Sequence, residues 1–249
     1  MVILDNEESS EGEIEMTIEV LLFDVGSTVF DWRTAVVRTL ENTVSDSLSS
    51  VDKDKFAVVF RKHTWIEQEE IANEEVPWRP FTDVLRSSLD LTLSELGIDG
   101  ISTDDRDLLY RAWDEMPVWP EVPVALERLR RKYYTSPLTV MSLRAVAYSS
   151  KNAGISWDSI ISCDMLGVTK YNPRSYQRAF ELIGCAPEQV CFVAAHPGDL
   201  RAASAQGTKT AYVVARLHDH GEDYEDKGFA EEFDYVADNF IHLAELMSA

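Results

Sequence analysis

The chain has 249 residues, of which 45% are hydrophobic and 27% charged, proportions of a globular protein that exclude a collagenous, coiled-coil or disordered chain. Lys and Arg number 23 against 44 Asp and Glu, and the formal charge of −21 repels phosphate backbones and anionic headgroups, so nucleic acid and membrane surfaces are poor partners. No apolar run approaches the roughly 18 residues of a membrane span.

Residues 1–15 carry six acidic side chains, no Lys or Arg and no periodicity, and are expected to be a flexible acidic tail rather than a leader. From Thr17 the chain reads Ile18, Glu19, Val20, Leu21, Leu22, Phe23 and stops at Asp24, Gly26 and Ser27, the pattern of a buried strand meeting a polar loop. Residues 34–117 change character, because apolar positions recur at spacings of three and four, as in Phe56, Val59, Phe60 and Leu85, Leu89, Leu93, Leu96. This block is predicted to be all-helical, with Pro77 and Pro80 marking a break.

Strand grammar then returns. Residues 138–141 run into Ser142, residues 190–195 run into His196, Pro197, Gly198 and Asp199, and two more strands are predicted over 210–214 and 235–237. Helices are predicted between them over 122–132, 174–183 and 200–206, the last closed by Gly207. Strand alternating with helix specifies an α/β protein with a parallel, doubly wound, Rossmann-like sheet. The acidic stretch 218–234 reads as a solvated loop and helix face. Cys163, Cys185 and Cys191 have no metal-ligand spacing and suit a reducing compartment, so a cytoplasmic protein without disulfides is expected.

Ligands of an open parallel sheet bind beyond the carboxyl ends of its strands, where Asp24, Ser142 and Asp199 should converge. Lys170 follows Gly167, Val168 and Thr169 and precedes a helix, so it faces the same rim. A carboxylate beside an ammonium group stays ionised and aimed, as a carboxylate nucleophile requires.

In this order the residues Phe23, Asp24, Val25, Gly26, Ser27, Thr28, then Ser142, then Lys170 with Asn172 and Pro173, then His196 to Leu200, resemble the haloacid dehalogenase superfamily, most closely its type II (S)-2-haloacid dehalogenases. The resemblance implies an α/β core over 16–33 and 118–249 and a helical cap over 34–117. It implies a hydrolase in which Asp24 displaces halide from C2 of a 2-halocarboxylic acid, forming an aspartyl ester that water cleaves. By the same matching, Thr28 and Ser142 hydrogen-bond the Asp24 carboxylate, Lys170 keeps it ionised, and Asp199 orients Lys170 or the water. Arg61 matches a position that suits the substrate carboxylate or the departing halide, although on its helix beside Lys62 and His63 it also reads as a solvated charge. The resemblance implies a small organic carboxylate as partner, no cofactor and no metal, and by analogy a homodimer.

Several positions depart from the pattern. Gly26 stands where the dehalogenases carry an aromatic residue and phosphatases an acid, Leu143 where they carry an Asn that cradles halide, and Tyr171 where Pro is usual. His196 varies the last loop and reads either as a general base or as a plain loop residue. Ser204 occupies a position where phosphatases often place a second carboxylate for magnesium, which disfavours phosphoryl transfer. Two alternatives follow: recruitment of the scaffold to a larger organic substrate in specialised metabolism, terpene-cyclase-like chemistry included, or a catalytically inactive binding protein.

Overall fold

The computed structural model of the chain describes residues 17–214 and 230–249, so the expected tail over 1–15 and most of the acidic stretch 218–234 lie outside the described residues. The first strand, β1 (Val20–Phe23), is buried along its whole length. Leu21 and Phe23 enter one apolar cluster and Val20 and Leu22 the other, the period-two alternation of a strand covered on both faces.

A helical segment follows: α1 (Trp32–Glu41), α2 (Asp46–Ser49), α3 (Lys53–Ala72), α4 (Phe81–Leu96) and α5 (Thr103–Arg111), with a short 3-10 turn over Ala112–Asp114. Asp31 starts α1 by accepting from Thr34 N at 2.9 Å. Trp32 and Trp113 stack at 5.8 Å, and Phe60 and Phe81 pack edge-on against Trp113, which holds the helices together around one aromatic core. The predicted all-helical block is therefore present, shifted by about two residues at its start.

The chain returns through Trp119, whose indole N–H donates to Ser27 O at 2.8 Å. It continues as α6 (Val122–Arg130), β2 (Tyr134–Thr139), α7 (Leu143–Ala153), β3 (Ile161–Ser162), α8 (Cys163–Leu166), α9 (Pro173–Ile183), β4 (Val190–Ala194), α10 (Pro197–Ser204), β5 (Lys209–Val213), β6 (Tyr235–Ala237) and α11 (Phe240–Leu246). Among the described residues the strands form one parallel sheet in the order β3-β2-β1-β4-β5-β6. Its order reverses at β1, flanked by β2 and β4, which is where such a sheet opens a crevice. No helix among the described residues is long and apolar enough to cross a membrane. Cys163, Cys185 and Cys191 are free thiols.

One strand differs from expectation in a way that moves a site residue. β2 covers Tyr134–Thr139 rather than 138–141, because Thr135 and Ser136, despite their polarity, and Pro137 are buried and paired with β1. The carboxyl end of β2 is thus Thr139, three residues before Ser142.

Candidate active site

Asp24 lies one residue past β1, and its N–H still donates to Val193 O of β4 at 2.9 Å. The chain then turns sharply: Val29 N and Phe30 N both donate to Val25 O, and Ser27 takes a left-handed φ of 65°. Two indoles hold this turn, Trp32 on Ser27 Oγ at 2.9 Å and Trp119 on Ser27 O. The turn returns Thr28 to Asp24, where its hydroxyl donates to Asp24 Oδ2 at 2.8 Å and accepts from Ala195 N at 2.9 Å. Because the acceptor side of the hydroxyl is occupied by that N–H, its proton is directed at the carboxylate.

Lys170 reaches the same place from the loop between α8 and α9. Its Nζ lies 2.5 Å from Asp24 Oδ1 and 2.8 Å from Asp199 Oδ2, and its side chain is 4% exposed. Asp199 stands in the first turn of α10, and its Oδ1 is buried without a hydrogen-bond partner among the described residues. His196, at the N-cap of α10, places Nδ1 3.3 Å from Asp24 Oδ2. Burial alone would push the Asp24 carboxyl up, but the Lys170 ammonium and the His196 ring outweigh it and hold Asp24 well below the usual carboxylate range. Burial pushes Asp199 up, the Asp24 charge adds to that, and Lys170 offsets it only in part. Burial would lower the Lys170 ammonium, yet the two carboxylates raise it above its ordinary value. The trio therefore holds an ionised, desolvated carboxylate at Asp24 beside a second carboxyl of much higher proton affinity.

Helix α3 closes the other side. Arg61, Trp65 and Gln68 fall at spacings of four and three on one face, and all three line a cavity of about 40 Å³ that also contains Asp24, Lys170 and His196. The Arg61 guanidinium lies 5.0 Å from the Trp65 ring centroid and 5.9 Å from that of Trp32, a cation held against two aromatic faces while lining the pocket. Thr169, just before Lys170, donates to Gln68 Oε1 at 2.5 Å. Tyr171 packs edge-on against Trp65 at 5.6 Å and takes φ 68°, a strained conformation for a bulky residue and one closed to proline. Burial and the two site carboxylates push the Tyr171 phenol well above its ordinary value, so it is a neutral donor.

Of the residues singled out in the sequence, Asp24, Thr28, Lys170, Asp199, His196, Arg61 and Gly26 meet here. Ser142 and Leu143 do not line the cavity. The Ser142 hydroxyl accepts from Ala145 N at 3.1 Å as the N-cap of α7, and Leu143 is 42% exposed. The strand-end residue that lines the cavity is Thr139, whose Oγ1 accepts from Met141 N at 3.1 Å, with Val140 and Met141 after it. Thr139, Gln68, Glu69 and Met141 were missed; the unexpected polarity of β2 conceals the first, and nothing local distinguishes the others.

A cation would find Asp24, His196 and Asp199 with ligand atoms within 4.8 Å of one another. The facing carboxylate oxygens are already bridged by Lys170, and Asp24 Oδ2 is engaged by Thr28 and His196, which leaves Asp199 Oδ1 as the carboxylate oxygen still open. One oxygen is a poor fit to a hard divalent ion.

The family model for haloacid dehalogenase-like hydrolases matches residues 18–207. The chain belongs to that family. It is a hydrolase of the haloacid dehalogenase superfamily whose relatives are mostly L-2-haloacid dehalogenases. It is 24% identical over 201 residues to (S)-2-haloacid dehalogenase 1 of Pseudomonas sp. (strain CBS-3), which covers 79% of this chain and 84% of that protein. It is 32% identical over 114 residues to (S)-2-haloacid dehalogenase 4A of Burkholderia cepacia, a match that spans 43% of this chain and about half, 48%, of that protein. Among solved structures it is similar to a defluorinating L-2-haloacid dehalogenase, with TM-score 0.87, 29% identity and coverage of 93% of this chain and 96% of that one.

Proposed function

We propose that this hydrolase cleaves the carbon–halogen bond of short 2-halocarboxylic acids through an ester on Asp24. The observation that carries the reading is the buried contact of Asp24 with Lys170 at the mouth of a cavity that also holds the Arg61 guanidinium. Stripped of water and held ionised, the Asp24 carboxylate attacks C2 in line; the C2–halogen bond breaks and its electron pair leaves with the halide. Arg61 binds the substrate carboxylate or the departing halide. Water then attacks the Asp24 carbonyl carbon, the C2 oxygen leaves as the hydroxyl of a 2-hydroxy acid, and Asp24 is restored. Thr28 aims the carboxylate, Lys170 keeps it charged, and Asp199 with its unengaged Oδ1 positions Lys170 or the water.

Residues 34–117 serve as the cap that shuts this site, no metal or organic cofactor takes part, and the protein works in the cytoplasm as a homodimer. The small size of the cavity beside Asp24 supports a short acid over a bulky guest. Purified protein should release halide from chloroacetate or 2-chloropropanoate without added metal, and Asp24→Asn should abolish the release. No halide from any short 2-halo acid, or magnesium-dependent phosphate release from an aryl phosphate instead, would defeat the reading.

A further inference from the structure

Gly26 forms part of the cavity wall, and a Cβ placed on it would fall 2.6 Å from the methyl carbon of Met141. The thioether tip therefore fills the volume that a side chain at position 26 would take. Met141 is 5% exposed and its backbone is held on both sides: its N–H donates to Thr139 Oγ1 at 3.1 Å, and its carbonyl accepts from Ser162 Oγ at 2.7 Å. The side chain, by contrast, is unbranched, with three rotatable bonds and a polarisable end, a plug that can reposition.

We infer that Met141, seated over Gly26, is the residue that sets the chain length of the acid admitted to Asp24. This deepens the dehalogenase reading and rests on it. Where the resembling enzymes carry a ring at position 26, this chain carries none, and bulk is supplied from the β2 side of the pocket by a thioether. Because that thioether tip stands in the wall of the cavity beside Asp24, its position decides whether a substituent on C2 fits.

The test measures kcat/KM for halide release from chloroacetate, 2-chloropropanoate and 2-chlorobutanoate with wild type, Met141→Ala and Met141→Leu. In parallel, calorimetry measures the binding of acetate, propanoate and butanoate, and thermal unfolding confirms that each variant folds. A methylene in an apolar pocket discriminates by roughly 10- to 200-fold. Met141→Ala is expected to raise the four-carbon to two-carbon ratio at least about tenfold in both series. Met141→Leu, of similar volume, is expected to stay near wild type, and Gly26→Ala, which displaces the methyl, to move the ratio as well. If wild type turns over and the Met141→Ala ratio stays within twofold of it, the proposal is overturned. If wild type releases no halide, the dehalogenase reading fails, and the binding series alone decides: an increased ratio supports the size role, whereas an unchanged ratio, or no binding to either protein, overturns it.

Discussion

The hydroxyl of Thr169 donates to Gln68 Oε1 at 2.5 Å, a buried bond between residues 101 positions apart that ties helix α3 to the loop presenting Lys170. Both partners are under one-tenth exposed, so neither can exchange the bond for water without local opening. Removing one leaves the other buried and unpaired, at a cost of about 1–3 kcal/mol, whereas replacing both by apolar groups of similar shape is nearly neutral. Gln68→Leu and Thr169→Val should therefore each lower the urea midpoint, and the double variant should recover most of the loss. Additive losses would show that the two groups act independently.

Lys170 is the counterion of two buried carboxylates. Lys170→Met keeps the length and removes the charge, and breaking a buried ion pair from one side costs about 3–5 kcal/mol. The loss in denaturant unfolding should be largest near neutral pH and shrink in acid, where Asp199 takes up a proton and relieves the repulsion. A loss independent of pH would mean that packing, not charge, is what Lys170 supplies.

Asp24 and Asp199 should link to stability with opposite signs. A carboxyl held below its unfolded value, roughly 3.9, stabilises above that value and loses the contribution as pH falls toward its folded value; Asp24 is of this kind. A carboxyl held above its unfolded value favours the fold while protonated and loses that contribution as pH rises through its folded value; Asp199 is of this kind. Relative to wild type, Asp24→Asn should lose stability as pH rises toward about 4 and hold a nearly constant deficit above it, whereas Asp199→Asn should gain stability as pH rises through the raised Asp199 value. Unfolding midpoints measured from pH 3 to pH 8 check both, and slopes of the same sign would contradict the assignment.

Tyr171 holds a left-handed φ of 68° that proline cannot adopt. Tyr171→Pro, although it installs the residue usual in the resembling enzymes, should destabilise the chain and misplace Lys170. Tyr171→Gly relieves strain of about 1–3 kcal/mol while losing the edge contact with Trp65, so it should fold with a midpoint near wild type. Circular dichroism melts of the two variants distinguish these outcomes.

The site was legible where an apolar run ends abruptly in a polar residue. Val20–Phe23 before Asp24 and Val190–Ala194 before His196 are such runs, and the sheet order places their ends side by side. β2 broke the rule: residues 138–141 look like the strand, but the ladder runs through Thr135, Ser136 and Pro137, so the expected strand-end hydroxyl fell three residues late, on a helix cap. β3 has two residues and no periodicity to read. Gln68 and Glu69 join the pocket through the way α3 docks, a tertiary relationship that no spacing within the helix records.

Asp24 as nucleophile is tested most directly by a single turnover in H2¹⁸O with enzyme in excess over a 2-chloro acid, followed by mass spectrometry of the peptide containing Asp24 and of the product. Under the proposed mechanism water attacks the carbonyl carbon of an Asp24 ester, which predicts that one ¹⁸O enters the Asp24 carboxylate while the 2-hydroxy acid carries ¹⁶O at C2. Direct appearance of ¹⁸O in the product, with the Asp24 peptide unlabelled, would contradict the ester mechanism.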